Sequence, residues 1–101
     1  MYLNSMKLPH KKLQDLKNVG KATLQDLHLL GIYSVSDLSH HDATELFQQL
    51  EKVTNKRQDP CVWDVFAAII HEATTGEPTT WWSWTSKRKD LQKSGKSLHV
   101  I

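Results

Sequence analysis

Residues Leu13–Leu38 read LQDLKNVGKATLQDLHLLGIYSVSDL, and this stretch contains a displaced copy of itself. A shift of 11 residues lays Leu13-Gln14-Asp15-Leu16 on Leu24-Gln25-Asp26-Leu27, Gly20 on Gly31, and Asp26-Leu27 on Asp37-Leu38, with Thr23 and Ser34 corresponding as hydroxyl residues. Each copy reads as an apolar helix that runs into a glycine corner and then into a new helix. Glycine suits such a corner because it enters left-handed backbone at little steric cost. The unit is far shorter than a solenoid repeat, so it implies two successive corners and no array.

The flanking segments extend the helical pattern. Pro9 suits a first helical turn, and Leu13, Leu16 and Val19 recur at spacing three, predicting a short helix that stops near Gly20. A second helix resumes at Lys21 or Ala22 with Leu24, Leu27 and Leu30 on one face, and Gly31 is placed as its C-terminal cap. Ser34 with Asp37, and then Asp42 with Glu45, carry the spacing of N-terminal capping boxes. The first opens a short helix through Leu38; the second opens a helix bearing Leu46, Phe47, Leu50 and Val53. After the polar loop Thr54–Asp59, Asp59 as cap and Pro60 at the first helical position open the fifth and longest helix. Val62, Val65, Phe66, Ile69, Ile70 and Ala73 line its apolar face, and Gly76 and Pro78 end it. No segment alternates with period two, so an all-α, five-helix domain is expected, with its core between Leu13 and Ala73; its glycine corners resemble the hairpin of sterile-alpha-motif-like helical folds. Beyond Thr79 the pattern fades. Trp81-Trp82-Ser83-Trp84 is too aromatic for a free tail, whereas Lys87–Lys96 is expected to be disordered.

With 101 residues, 39% hydrophobic and 24% charged, the chain fits one compact helical domain over 8–76 followed by a Trp-rich, basic extension over 77–101. The net charge of +2 is unevenly spread: residues 77–101 carry +3 and the remainder −1. A basic extension on a near-neutral body either touches a polyanion or only aids solubility. One cysteine, Cys61, excludes an internal disulfide framework and suits a reducing compartment. No apolar run is long enough to span a bilayer, and MYLNSMKLPHKK lacks a secretory core, so the cytoplasm is expected and a membrane is not.

The segment Lys17-Asn18-Val19-Gly20-Lys21-Ala22-Thr23 resembles a helix-hairpin-helix turn. A glycine corner entering a helix leaves several backbone N–H groups without intrahelical partners, and the positive end of the helix dipole adds to their pull on a phosphate oxygen. Lys21 would add a charged contact and the Thr23 hydroxyl a further donor, with Lys11, Lys12 and Lys17 extending the patch. DNA-binding hairpins usually carry glycine at the place of Asn18, which tolerates left-handed backbone but adds bulk. The competing reading is a packing corner. The second corner, Leu30–Val35, has no basic residue and reads as structural.

The likeness extends beyond one hairpin. The hairpin, GIYSVSDL, DATELFQQLEK, QDPCVWDVFAAIIHEA and WWSWTSKRK together resemble a small bacterial family of pathogenicity-locus or mitomycin-resistance proteins, over roughly residues 8–90. Asp59-Pro60-Cys61, the Trp cluster and the basic run are the most specific parts. The resemblance implies a helix-hairpin-helix domain similar to that at the C-terminus of competence regulators. The family names imply DNA-damage tolerance or virulence, and no catalytic residue carries over.

The other reactive side chains form no constellation. Cys61 reads as a structural thiol, although a helix N-terminus can favour a thiolate. His71-Glu72 resembles the start of a zinc-protease motif, but Thr75 stands where its second histidine belongs. His10, His28, His40, His41 and His99 are scattered, so no metal or cofactor is expected. Asp64 and Glu72, two turns apart on one helix, read as solvent-facing or salt-bridged. The Trp rings either stack on unpaired bases or cap the core, with Trp81 or Trp82 taken as buried and Trp84 as exposed. The expected protein is therefore no enzyme. It contacts the DNA backbone without base specificity through Lys17, Val19, Gly20, Lys21, Ala22 and Thr23, helped by Lys87, Arg88 and Lys89. The alternative is a protein-interaction adaptor using an apolar groove or the Trp cluster.

Overall fold

The computed structural model describes residues 11–101. Among the described residues the protein is all-α, with helices α1 (Lys21–Leu29), α2 (Val35–Leu38), α3 (Ala43–Thr54), α4 (Cys61–Thr75) and α5 (Thr85–Lys93). Two 3-10 turns, Leu13–Asp15 and Trp81–Trp84, complete it. None of these helices is long and apolar enough to cross a membrane.

Local chemistry explains most of the boundaries. Gly31, at φ 79°, closes α1: its N–H donates to the His28 carbonyl and the Ile32 N–H to the Leu27 carbonyl. This double bond pattern satisfies the last carbonyls and brings Ile32 down beside Leu27, both buried. The Ser34 hydroxyl caps α2 by accepting from Asp37 N–H (3.0 Å). At α3 the Asp42 carboxylate accepts from the Thr44 and Glu45 N–H groups, while Glu45 accepts from Asp42 N–H, a complete capping box. Asp59 serves α4 by accepting from Cys61 N–H (2.8 Å).

Two expected segments differ. The helix expected from Pro9 to Val19 is, within the described residues, one 3-10 turn followed by extended Leu16 and left-handed Asn18 (φ 75°); its expected start at Pro9 lies outside them. Continuing the helix would need Lys17 N–H for a carbonyl one turn back, but that group donates instead to the buried Glu72 carboxylate (2.9 Å). The stretch Lys87–Lys96, expected to be disordered, is helical through Lys93. Its composition is strongly polar, and what fixes it is Arg88, which turns inward onto Asp64 (2.7 Å).

The core is built on α4, which packs most extensively against α3 and the Trp81–Trp84 turn. Phe47, Leu50, Phe66 and Ile69 are fully buried there, with Leu13, Leu16, Leu27 and Leu38 closing one end. The core does not stop at Ala73 as expected. Leu98 belongs to it at 2% exposure, so residues beyond Glu77 pack onto the body.

Candidate nucleic-acid interface

Two buried carboxylates fasten the segments that carry the candidate residues, and a third gathers the segment up to Ile101. Glu72 on α4 holds the entry to the hairpin, accepting from Lys17 N–H on one oxygen and pairing with Lys11 Nζ (3.1 Å) on the other. Asp64, also on α4, accepts from Arg88 Nε (2.7 Å) and the Thr85 hydroxyl (2.7 Å), which seats α5. Glu51 on α3 gathers His99 Nδ1 (2.6 Å) and the N–H groups of Gln58, Val100 and Ile101. Burial raises the Glu51 carboxyl, but the bonds from His99 and those three amides outweigh it and hold it at about 2. Of the two readings offered for Asp64 and Glu72, salt bridging is the one realised and solvent exposure is not. Glu51 was missed: one glutamate in an amphipathic helix reads as solvent-facing.

Val19 N–H is satisfied internally by the Leu16 carbonyl (3.2 Å) and so leaves the expected donor set. The first intrahelical bond of α1 runs from Leu24 N–H to the Gly20 carbonyl, and no side chain caps the helix. Among the described residues, the N–H groups of Gly20, Lys21, Ala22 and Thr23 thus have no hydrogen-bond partner. Gly20, Lys21 and Ala22 are exposed and Thr23 is half-buried. Gly20 itself is extended (φ −93°, ψ −171°); Asn18 carries the left-handed step expected of the corner. Lys17 is exposed, whereas Lys11 is engaged with Glu72.

The hairpin sits beside the Trp stretch, since Asn18 Nδ2 donates to the Thr79 carbonyl (2.8 Å). The Trp arrangement differs from the expected one in Trp84, which is half-buried like Trp81 instead of exposed. Trp84 is the ring packed on the core edge, its Nε1 bonded to the Thr79 hydroxyl (2.9 Å), while Trp82 is 61% exposed and meets Trp81 edge to face. Trp84 must turn inward because α5 begins right after it and is pinned by Arg88. That pin also removes Arg88 from the expected nucleic-acid contacts: it is only 8% exposed and its guanidinium faces Asp64 and Gln92. Lys87 and Lys89 remain exposed, and Lys87 Nζ lies 5.5 Å from the Trp84 ring centre.

A groove of about 470 Å³ runs between the start of α3, the flank of α4 and α5. Ala67, Ile70 and Leu91 form its apolar middle, with Trp63 and Trp84 as aromatic walls. Cys61 lies outside it; burial, the Asp59 hydrogen bond and the charges of Asp59 and Asp64 push its thiol up, so it is no activated nucleophile. Among the described residues no group of His, Cys, Asp and Glu is placed to hold a metal ion.

The chain is 29% identical over 79 residues to the mitomycin resistance protein McrB of Streptomyces lavendulae, an alignment covering 78% of this chain and 75% of that protein. No solved structure matches. The model of the Cdd1 family, described as pathogenicity locus, matches residues 7–90, and the chain belongs to that family.

Proposed function

We propose that the protein is a cytoplasmic accessory factor that binds nucleic acid through the phosphate backbone, without base specificity and without catalysing a reaction. The observation that carries this reading is the row of four amides, Gly20–Thr23, without a partner among the described residues at the start of α1, three of them on exposed residues. Such donors, with the helix dipole behind them, hold a phosphate oxygen while reading no sequence. Lys17 adds charge next to the corner, and Lys87 and Lys89 supply a second contact in place of the larger basic run first expected. The name of the Streptomyces relative, a mitomycin resistance protein, supports a role for such binding in tolerance of DNA damage.

Binding to a 20-base-pair duplex, followed by fluorescence anisotropy, should weaken by about tenfold or more between 50 and 200 mM salt. Lys21→Glu should weaken it further without changing the melting temperature, and should flatten the salt dependence by about one unit of slope. Unchanged duplex affinity in Lys21→Glu would overturn the hairpin reading. A second reading is an adaptor that recognises protein, favoured by Trp82, whose exposed ring has the character of an interface anchor. It predicts that Trp82→Ala abolishes partner capture while duplex affinity is untouched.

A further inference from the structure

The groove between α3, α4 and α5 has a chemistry separate from that of the hairpin. Ala67 shares the lining with the two aromatic walls, Trp63 and Trp84. The Trp84 wall is held in place, since its Nε1 is committed to Thr79 and His71 packs on it at 5.3 Å between ring centres. A flat ring entering the groove therefore meets a fixed π surface. At that end stands Lys87, over the same ring and in no ion pair among the described residues. At the other end the lining turns polar in a complementary way. Thr44 Oγ1 accepts from Trp63 Nε1 (2.9 Å), which leaves its own hydrogen to donate. Asp42 takes the Thr44 and Glu45 amides on Oδ2, which leaves Oδ1 to accept. The nearby acids Asp37 and Glu45 are turned onto His41.

An occupant matching this lining is planar, presents a donor and an acceptor along one edge, and is anionic at the opposite end. We propose that the groove seats one unpaired nucleotide of a single-stranded nucleic acid, its base on Trp84, its polar edge toward Thr44 and Asp42, and its phosphate on Lys87. The volume accommodates one ring system with its sugar, and the exposed Lys87, Lys89, Lys93 and Lys96 suit the rest of an anionic strand. A base within a duplex cannot enter, because its edge is already paired and both its faces are stacked. The inference rests on nucleic-acid binding as proposed above but assigns the choice of strandedness to a different surface.

The test compares a fluorescein-labelled 12-nucleotide single strand with the matching duplex by anisotropy, with thermal melting as the check on folding. Trp84→Leu should weaken the single strand by about tenfold and leave the duplex within about twofold. Lys87→Glu, which also removes a backbone contact, should weaken the single strand by about tenfold and the duplex less. Lys21→Glu should weaken both. Free UMP should compete only at concentrations far above the strand, because a lone nucleotide lacks the neighbouring phosphates; equal competition would show a free-nucleotide site and overturn the strand assignment. Full single-strand affinity in both Lys87→Glu and Trp84→Leu, with loss in Lys21→Glu, would overturn the groove proposal and leave the hairpin standing. No binding of either nucleic acid would overturn both. Binding of a Leu- and Trp-containing amphipathic peptide that is lost in Trp84→Leu, with no effect of that variant on the strand, would make the groove a peptide site and also overturn it.

Discussion

Asn18 does two jobs that no other side chain combines so cheaply. It holds a left-handed backbone at φ 75° and donates its amide to the Thr79 carbonyl, joining the hairpin to the Trp stretch. Asn18→Ala should therefore lower stability by about 2 kcal/mol, one part from backbone strain and one from the lost bond. Asn18→Gly should cost about half of that, since only the bond is lost. Urea denaturation of the two variants measures the split, and equal losses would show that backbone strain is absent. Glu51 gives a pH signature. Its carboxyl is held at about 2 in the folded chain, against an ordinary value of 4.5. Between those values the unfolded chain binds more protons, so the stability Glu51 provides is complete above about pH 4.5 and is lost as pH falls toward 2. Glu51→Gln should cost about 2 kcal/mol at pH 7, with the gap to the unmodified protein narrowing at pH 3. A gap independent of pH would mean that its charge does not matter.

At the level of elements, α5 depends on one ion pair more than on apolar area. Arg88 and Asp64 are both buried, and each leaves the other uncompensated if removed. Asp64→Asn or Arg88→Ala should destabilise by about 3 kcal/mol or more, whereas the paired replacement Asp64→Leu with Arg88→Met should cost much less. Guanidinium denaturation of the three variants decides this; additive losses would mean that the pair is not coupled. The same element shows where reading the sequence stops. The caps at Ser34, Asp42 and Asp59 and the glycine closures at Gly31 and Gly76 were legible because each is settled within a few residues of chain. The strand-like break after Leu13–Asp15 was not, because it is made by Glu72, 55 residues away from Lys17. Helix α5 was not legible for the same reason: Lys87-Arg88-Lys89 looks solvated until Asp64 is known to lie beneath it. Of the expected contact residues, Gly20–Thr23 have amides without a partner among the described residues and Val19 does not. The basic run is not presented whole, because sequence cannot say which of three adjacent cations turns inward.

Across the whole molecule, three acids on two helices draw in the hairpin, α5 and the segment ending at Ile101, so these parts should melt together. Leu98 belongs to the same cooperative unit despite its position far from the main apolar run. Leu98→Ala should therefore cost about 2–4 kcal/mol, as an internal leucine would, and lower the single calorimetric transition as a whole. A separate low-temperature transition, with the main one unmoved, would show that this segment peels away independently. The four tryptophans are spread across that unit at very different depths, from Trp63 at 5% exposure to Trp82 at 61%. Dissolved iodide, which cannot enter a packed interior, should extinguish the emission of the outermost ring and spare the innermost. The molecule thus carries its own optical gauge, in which the colour and the quenchable share of the light report which of its surfaces has been covered or uncovered.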